Sequence, residues 1–146
     1  MKILTLSEKR KQIAEAKKRK KAKNPPQEIL IKLLEHYQNK RYEDAEKAAI
    51  QTIQQFPYHQ FAWKLLAAVY KDLGRLTEAL NASQKAAELG PNDVEAHSNL
   101  GAALNEIGDF NKSNDHYKHA IKIKPNFEIA YNNLAASLIA QGKIDD

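Results

Sequence analysis

Apolar and polar positions alternate along this chain with the period of an α-helix. In the segment 63–70, apolar side chains recur at i, i+3, i+4 and i+7, the spacing that places them on one helix face. Gly74 then supplies a residue that readily takes the left-handed conformation that ends a helix. A second helical pattern covers 77–89 and stops before Pro91, because proline cannot continue a helix. The pattern predicts two antiparallel helices joined by a short turn.

The same pattern returns every 34 residues. Four residue classes keep this register: Pro57, Pro91 and Pro125; Gly74, Gly108 and Gly142; Ala45, Ala79 and Ser113; and Tyr42, Leu76, Phe110 and Ile144. A fixed period of this length indicates a repeat protein whose units stack on one another. The small residues at Ala45 and Ala79 are expected where two helices cross, because a larger side chain would hold the backbones apart.

This register predicts three helix pairs and a seventh helix. The pairs are expected at 27–38 with 43–55, 60–73 with 77–89, and 94–107 with 111–123, and the last helix at 128–141. We divide the chain into a leader, 1–24, and a repeat array, 25–146. The units of the array span about 26–59, 60–93, 94–127 and 128–146, of which the last is incomplete.

The repeated residues resemble the tetratricopeptide repeat family. The residues that carry the resemblance are Trp63, Leu66, Ala67, Tyr70, Gly74, Ala79, Ala86 and Pro91, and then Leu100, Gly101, Leu104, Gly108, Phe110, Ala120 and Pro125. The resemblance implies an all-α, right-handed superhelical solenoid of antiparallel helix pairs. It also implies a concave groove, lined by the first helix of each pair, that receives an extended or helical peptide.

The first and last units depart from this pattern. In the first unit Lys40 replaces the turn glycine, and Leu33 with Leu34 fits the expected Leu-Gly spacing only with a slip of about one residue. We interpret this unit as a degenerate terminal repeat. The last unit stops inside a turn, at 143–146. We therefore expect either an exposed apolar stripe on the last helix or a longer array of which this sequence is a part.

Nine residues are predicted to face the groove. They are Lys64, Ala68, Lys71, Asn99, Ala102, Asn105, Asn132, Asn133 and Ala136. Alanines leave room for a ligand backbone, and asparagine amides can hydrogen-bond its peptide groups.

Two features of this set keep alternative interpretations. Asn99 and Asn133 resemble the asparagine ladder of O-GlcNAc transferase arrays, but Ile31 and Leu65 hold the matching places, and asparagine there can equally stabilise repeat stacking. Lys64 and Lys71 are candidates to bind a carboxylate, although we favour a solvated lysine pair over that function.

The net charge of +5 comes from the leader. Residues 1–24 hold 10 Lys and Arg against 2 Glu, whereas residues 25–146 hold 13 against 16 acidic residues. The run 17–23 invites readings as a nuclear-import, RNA-binding or membrane-binding segment. It lacks interleaved aromatic residues, so we expect a solvated, flexible or partly helical leader. Residues 9–23 should attract nucleic acid or anionic membranes only nonspecifically.

Catalytic and metal-binding patterns are absent from the sequence. The chain has no cysteine, no glycine-rich phosphate loop and no nucleophile motif, so we expect no cofactor and no enzymatic activity in the chain as given. His116 and His119 lie three apart beside Asp115, but a metal site needs three or four ligands and none is predicted. His36, His59 and His97 are expected to be isolated structural residues. A cytoplasmic location agrees with the missing cysteines and the lack of a long apolar run.

The function predicted from these features is a protein-interaction scaffold with a protein or peptide client. The alternative is the acceptor-recruiting N-terminal segment of a larger transferase, because the first two units resemble arrays that precede bacterial glycosyltransferase domains of the O-GlcNAc transferase or SPINDLY type, or sulfotransferase domains. An RNA- or membrane-associated adaptor acting through the basic leader is the third alternative. An exposed last helix would favour self-association.

Overall fold

The computed structural model describes residues 3–20 and 24–142, and within these ranges the chain forms eight α-helices and no strand. The helices are α1 Leu6–Lys20, α2 Gln27–Gln38, α3 Tyr42–Gln55, α4 Gln60–Asp72, α5 Leu76–Leu89, α6 Val94–Glu106, α7 Phe110–Ile123 and α8 Glu128–Ala140. The helices of the array begin and end within one residue of the predicted positions. The division of the chain at residue 24 remains a prediction, and residues 21–23 and 143–146 lie outside the described ranges. No helix in the described ranges is long and apolar enough to cross a membrane.

Consecutive helices of the array pack into antiparallel pairs, α2 with α3, α4 with α5 and α6 with α7, and successive pairs pack through the second helix of one and the first of the next. The main core lies between the first two pairs and includes Leu33, Leu66 and Tyr70, while Leu100 and Leu104 centre a second cluster. The result is an all-α solenoid.

The turns inside the pairs share one backbone geometry. Gly74 has a φ of 73° and Gly108 a φ of 86°. In both turns the glycine N–H donates to the carbonyl three residues earlier, and the next N–H donates to the carbonyl five residues earlier. Lys40 has a φ of 57° and makes the same two hydrogen bonds. The first unit therefore keeps the turn without its glycine, at the cost of a left-handed conformation that a side chain disfavours.

The turns between pairs are stabilised by a hydrogen bond from a side chain on the helix that follows the turn. In each of the last three units the residue in the aromatic position of the first helix donates to the carbonyl of the preceding proline: Trp63 Nε1 to Pro57 at 3.2 Å, His97 Nε2 to Pro91 at 2.7 Å and Tyr131 Oη to Pro125 at 2.7 Å. Three different side chains thus satisfy the same carbonyl, one period apart.

Small residues set the distance between paired helices. A Cβ added to Gly101 would lie 2.6 Å from Cε1 of Tyr117 on α7. Ser113, fully buried, donates from Oγ to the Gly101 carbonyl at 2.6 Å. Ala67 and Ala79 hold the matching positions in the previous unit and are also buried. Close packing of these pairs therefore depends on side chains no larger than serine.

The first pair is built differently. Leu33 lies one period before Ala67 and is fully buried, so a large side chain fills the place that Ala67 and Gly101 keep small. The helices α2 and α3 pack less closely than the next two pairs.

The two ends of the described structure expose apolar side chains. On α8, Ile129, Tyr131 and Ile139 are 56%, 46% and 43% exposed, because this helix packs only on α6 and α7. On α1, Leu6 and Ile13 are exposed, and this helix makes no extensive contact with the array.

Candidate functional site: a groove between α4 and α6

A groove separates α4 from α6, and α5 forms its floor. The two first helices have little direct contact, unlike α2 with α4 or α6 with α8. The space between them has a volume of about 230 Å³ and opens to solvent. Its lining is dominated by small side chains together with a few charged ones: Tyr37, Lys64, Ala67, Ala68, Lys71, Asp72, Leu76, Ala79, Ser83, Ala86, Ala96, Asn99, Ala103 and Glu106.

Four of the nine predicted groove residues line this space, namely Lys64, Ala68, Lys71 and Asn99. The other five do not. Ala102 is half-buried on α6, and Asn132 and Ala136 are exposed on α8. Contact with a peptide stays a prediction for all nine.

The remaining two of these five residues are the asparagines Asn133 and Asn105. Asn133 Nδ2 donates to Ser98 Oγ at 3.4 Å, a contact between neighbouring units. Among the residues that the structure describes, Asn105 Oδ1 is buried without a hydrogen-bond partner. For Asn133, this contact matches the repeat-stacking interpretation rather than the ladder.

One end of the groove is closed by a polar cluster around Asp93. Lys64 Nζ lies 2.9 Å from Asp93 Oδ2 and 3.3 Å from Glu95 Oε2. Gln60 Nε2 donates to Asp93 Oδ2 at 3.0 Å and to the Ala86 carbonyl at 2.9 Å. The cluster therefore ties α4 to the start of α6.

Asp93 also caps α6, since its Oδ1 accepts from the N–H groups of Glu95 and Ala96. Burial alone would raise the pKa of Asp93, but the hydrogen bonds from Lys64 and Ala96 outweigh it and lower the pKa. For Lys64, burial acts to lower the pKa, and the contacts with Asp93 and Glu95 raise it instead. The expectation of a solvated lysine is therefore wrong for Lys64, whose side chain is only 25% exposed.

The other end of the groove carries Lys71, Asp72 and Glu106. Asp72 Oδ2 accepts from Tyr37 Oη at 2.9 Å and from Tyr42 Oη at 3.3 Å. Burial, followed by the hydrogen bond to Asp72, raises the pKa of Tyr37 to about 12, so both tyrosines remain neutral donors. Asp72 and Glu106 were missed from the sequence, although they lie one period apart and each follows a predicted groove residue.

A histidine cluster lies between α6 and α7, away from the groove lining. His97 Nδ1 is 3.3 Å from His116 Nδ1, and the His97 and His119 ring centres are 4.3 Å apart. Because the Pro91 carbonyl only accepts, His97 Nε2 carries a proton. Burial, with the neighbouring histidines, lowers the pKa of His116. The expectation that His97 is isolated is wrong. Across residues 3–20 and 24–142, no group of three or more His, Cys, Asp or Glu is arranged to hold a metal ion.

Comparisons with known proteins identify the repeats. A TPR repeat profile matches residues 67–108 and a tetratricopeptide repeat profile matches residues 94–127. The chain carries tetratricopeptide repeats, as its sequence predicted, and its all-α solenoid is their fold. No curated protein sequence matches the chain.

Solved structures of tetratricopeptide repeats superpose on this chain. The first TPR of Spaghetti (RPAP3), bound to the HSP90 peptide SRMEEVD, has a TM-score of 0.74 at 20% identity, over 78% of this chain and 90% of that one. The Sgt2 TPR domain of Aspergillus fumigatus has a TM-score of 0.73 at 18% identity, over 82% and 86%. A mutant O-GlcNAc transferase of Thermobaculum terrenum has a TM-score of 0.70 at 23% identity, over 77% of this chain and only 22% of that protein. At these identities the likeness shows the fold alone.

Proposed function

We propose that this chain is a protein-interaction scaffold that binds a client peptide in the groove between α4 and α6. The observation that carries the proposal is the space of about 230 Å³ between α4 and α6, two first helices that have little direct contact with each other. Its lining includes small side chains, Ala67 on α4 and Ala79 and Ala86 on α5, so a ligand backbone can approach the helices. A similar fold, the first TPR of Spaghetti, holds a peptide.

The groove offers polar groups at its edges and apolar contact at its base. The exposed amide of Asn99 can donate to and accept from a peptide group, and Lys71 has no ion-pair partner among the described residues. Such a site takes an extended or helical peptide by its backbone and small side chains. The proposal assigns the chain a binding function only.

A groove-blocking variant tests the proposal. Peptides selected from a random library on the full chain should lose at least about tenfold in affinity with Ala68→Arg, because the arginine fills the space between α4 and α6. Gln84→Arg, on the exposed side of α5, is the matched control and should bind normally. Equal affinity of the Ala68→Arg chain, with helicity unchanged by circular dichroism, would contradict groove binding.

The second candidate function is recruitment of an acceptor protein to a larger transferase. It is favoured by the likeness to the repeat region of an O-GlcNAc transferase, of which this chain matches 22%. An immunoblot of source cells against the repeats distinguishes the two candidates. A band much larger than 16.5 kDa supports the transferase segment, and a band at 16.5 kDa supports the small scaffold.

Two further partner predictions rest on exposed helices. The apolar face of α8, with Ile129, Tyr131 and Ile139, would support self-association, which sedimentation over a concentration series measures. The basic leader would support weak, salt-sensitive attraction to polyanions such as nucleic acid or anionic membranes. The cytoplasmic location also remains a prediction.

A further inference from the structure

The charged groups of the groove are unevenly balanced. Its lining contains two lysines and two carboxylates: Lys64, Lys71, Asp72 and Glu106. Two more carboxylates, those of Asp93 and Glu95, contact Lys64 at the groove end. Four carboxylates against two lysines leave a formal charge of −2 on the groove and its rim.

Lys64 is not available to an acidic ligand. Its ammonium group is already 2.9 Å from Asp93 and 3.3 Å from Glu95. A ligand carboxylate would have to displace these groups, and the displaced Asp93 would lose a partner while still half-buried at the start of α6. Lys64, a candidate from the sequence to bind a ligand carboxylate, is therefore neutralised by Asp93 and Glu95 of the chain itself.

The opposite end of the groove is acidic. Tyr37 and Tyr42 donate hydrogen bonds to Asp72, but neutral hydroxyl groups leave its negative charge in place. Glu106 lies one period later and forms no ion pair within residues 3–20 and 24–142. Lys71, adjacent to Asp72 in the chain, is the uncompensated cation of this end. Asp72 at the end of α4 and Glu106 at the end of α6 therefore lie on either side of this end of the groove, which we call its mouth.

We infer that the groove selects a basic peptide: a segment with lysine or arginine beside a short run of small or aliphatic residues. This inference deepens the proposed function and rests on it. The alanine floor accepts the apolar run, while Asp72 and Glu106 attract the cations at the mouth. An acidic C-terminal segment, of the kind held by the Spaghetti repeat, meets net repulsion here.

The basic leader makes the test stringent. Residues 1–24 carry 10 Lys and Arg against 2 Glu, so nonspecific attraction by the leader favours an acidic peptide. A preference of the full chain for a basic peptide therefore cannot come from the leader.

Two peptide probes test the inference on the full chain. The acidic probe is SRMEEVD, and the basic probe is the same peptide with both glutamates changed to lysine, the last residue changed to lysine and the C-terminus amidated. Fluorescence anisotropy at about 0.15 M ionic strength should give the basic probe at least about tenfold tighter binding. Glu106→Gln should weaken the basic probe by about threefold, the effect of one exposed charge pair. Glu43→Gln, which removes an exposed carboxylate on α3, should leave its affinity unchanged.

The outcomes separate this inference from the proposed function. Tighter or equal binding of the acidic probe overturns the basic preference, as does a Glu106→Gln effect no larger than that of Glu43→Gln. Binding of neither probe also overturns it. In each case the proposed function stands or falls separately, by the effect of Ala68→Arg on library-selected peptides.

Discussion

The first and third helix pairs belong to the same 34-residue repeat but use different residues at the helix crossing and at the turn. In the third pair, Gly101 and Ser113 let α6 and α7 approach closely, and Gly108 makes the turn without strain. In the first pair, Leu33 fills the crossing and Lys40 takes the left-handed turn conformation. The difference teaches that the register of the repeat, rather than any single consensus residue, specifies the fold. Substitutions that exchange these solutions test that lesson.

The largest effect is expected from Leu33→Ala. Leu33 is fully buried where the other units have Ala67 or Gly101, so alanine should leave a cavity between α2 and α3 rather than let them pack more closely. The free energy of unfolding should fall by about 3 kcal/mol. Urea unfolding followed by circular dichroism measures it. Leu34→Ala, at a 40% exposed neighbour, is the control and should cost much less. A neutral Leu33→Ala would mean that the first pair can close onto a small residue as the third does.

Gly101→Ala should destabilise by about 2 kcal/mol, although alanine normally favours a helix over glycine. The added Cβ would lie 2.6 Å from the Tyr117 ring, which is itself fully packed. Thermal unfolding compares it with Gln84→Ala on the exposed side of α5, which should change stability little. A stabilised Gly101→Ala chain would show that α6 and α7 have room to separate.

A reciprocal exchange at the turns should change stability by about 1 kcal/mol in opposite directions. Lys40→Gly removes a positive φ from a side-chain-bearing residue and should stabilise the chain. Gly74→Lys introduces the same strain and should destabilise it, with no steric contribution because no atom of the described residues lies within 4 Å of the added Cβ. Denaturant midpoints measure both changes, and equal signs would rule out backbone strain as the cause.

The smallest effect is a pH dependence of stability to which His116 of the third pair contributes. His116 occupies the register position of Ala82, and its pKa is lowered in the folded chain, first by burial and then by His97 and His119. The unfolded chain therefore binds more protons as pH falls below about 6.5, so stability should be full above that pH and decline below it. Chemical unfolding of wild type and His116→Asn at several pH values isolates this contribution. His59→Asn is a useful comparison, because burial lowers the pKa of His59 as well. If the free energy of unfolding of His116→Asn changed with pH as steeply as that of wild type, the pH dependence would not come from His116.

The sequence predicted the fold more completely than the groove. Helix bounds and turns follow from local residues, since Gly74 and Pro91 act where they stand in the chain. Side-chain pairing depends on which helices come together. Lys64 lies on α4 and Asp93 caps α6, so the ion pair between them could be seen only once the structure placed α4 beside the start of α6.

The sequence paired His116 with His119 but did not predict the contact of His97 with them, and it did not single out Asp72 and Glu106. His97 and His116 lie on consecutive helices, α6 and α7, and come into contact only when those helices pack together. Asp72 and Glu106 shared a register position that the alanine and asparagine pattern overshadowed, so the period contained a signal for them.

The most direct test of the central claim is backbone chemical-shift mapping of the full chain with a library-selected peptide. We predict that the largest shift changes fall on the two walls of the groove, at residues such as Ala68, Lys71, Asn99 and Ala103. Changes confined to α1, or to the exposed faces of α7 and α8, would contradict peptide binding between α4 and α6.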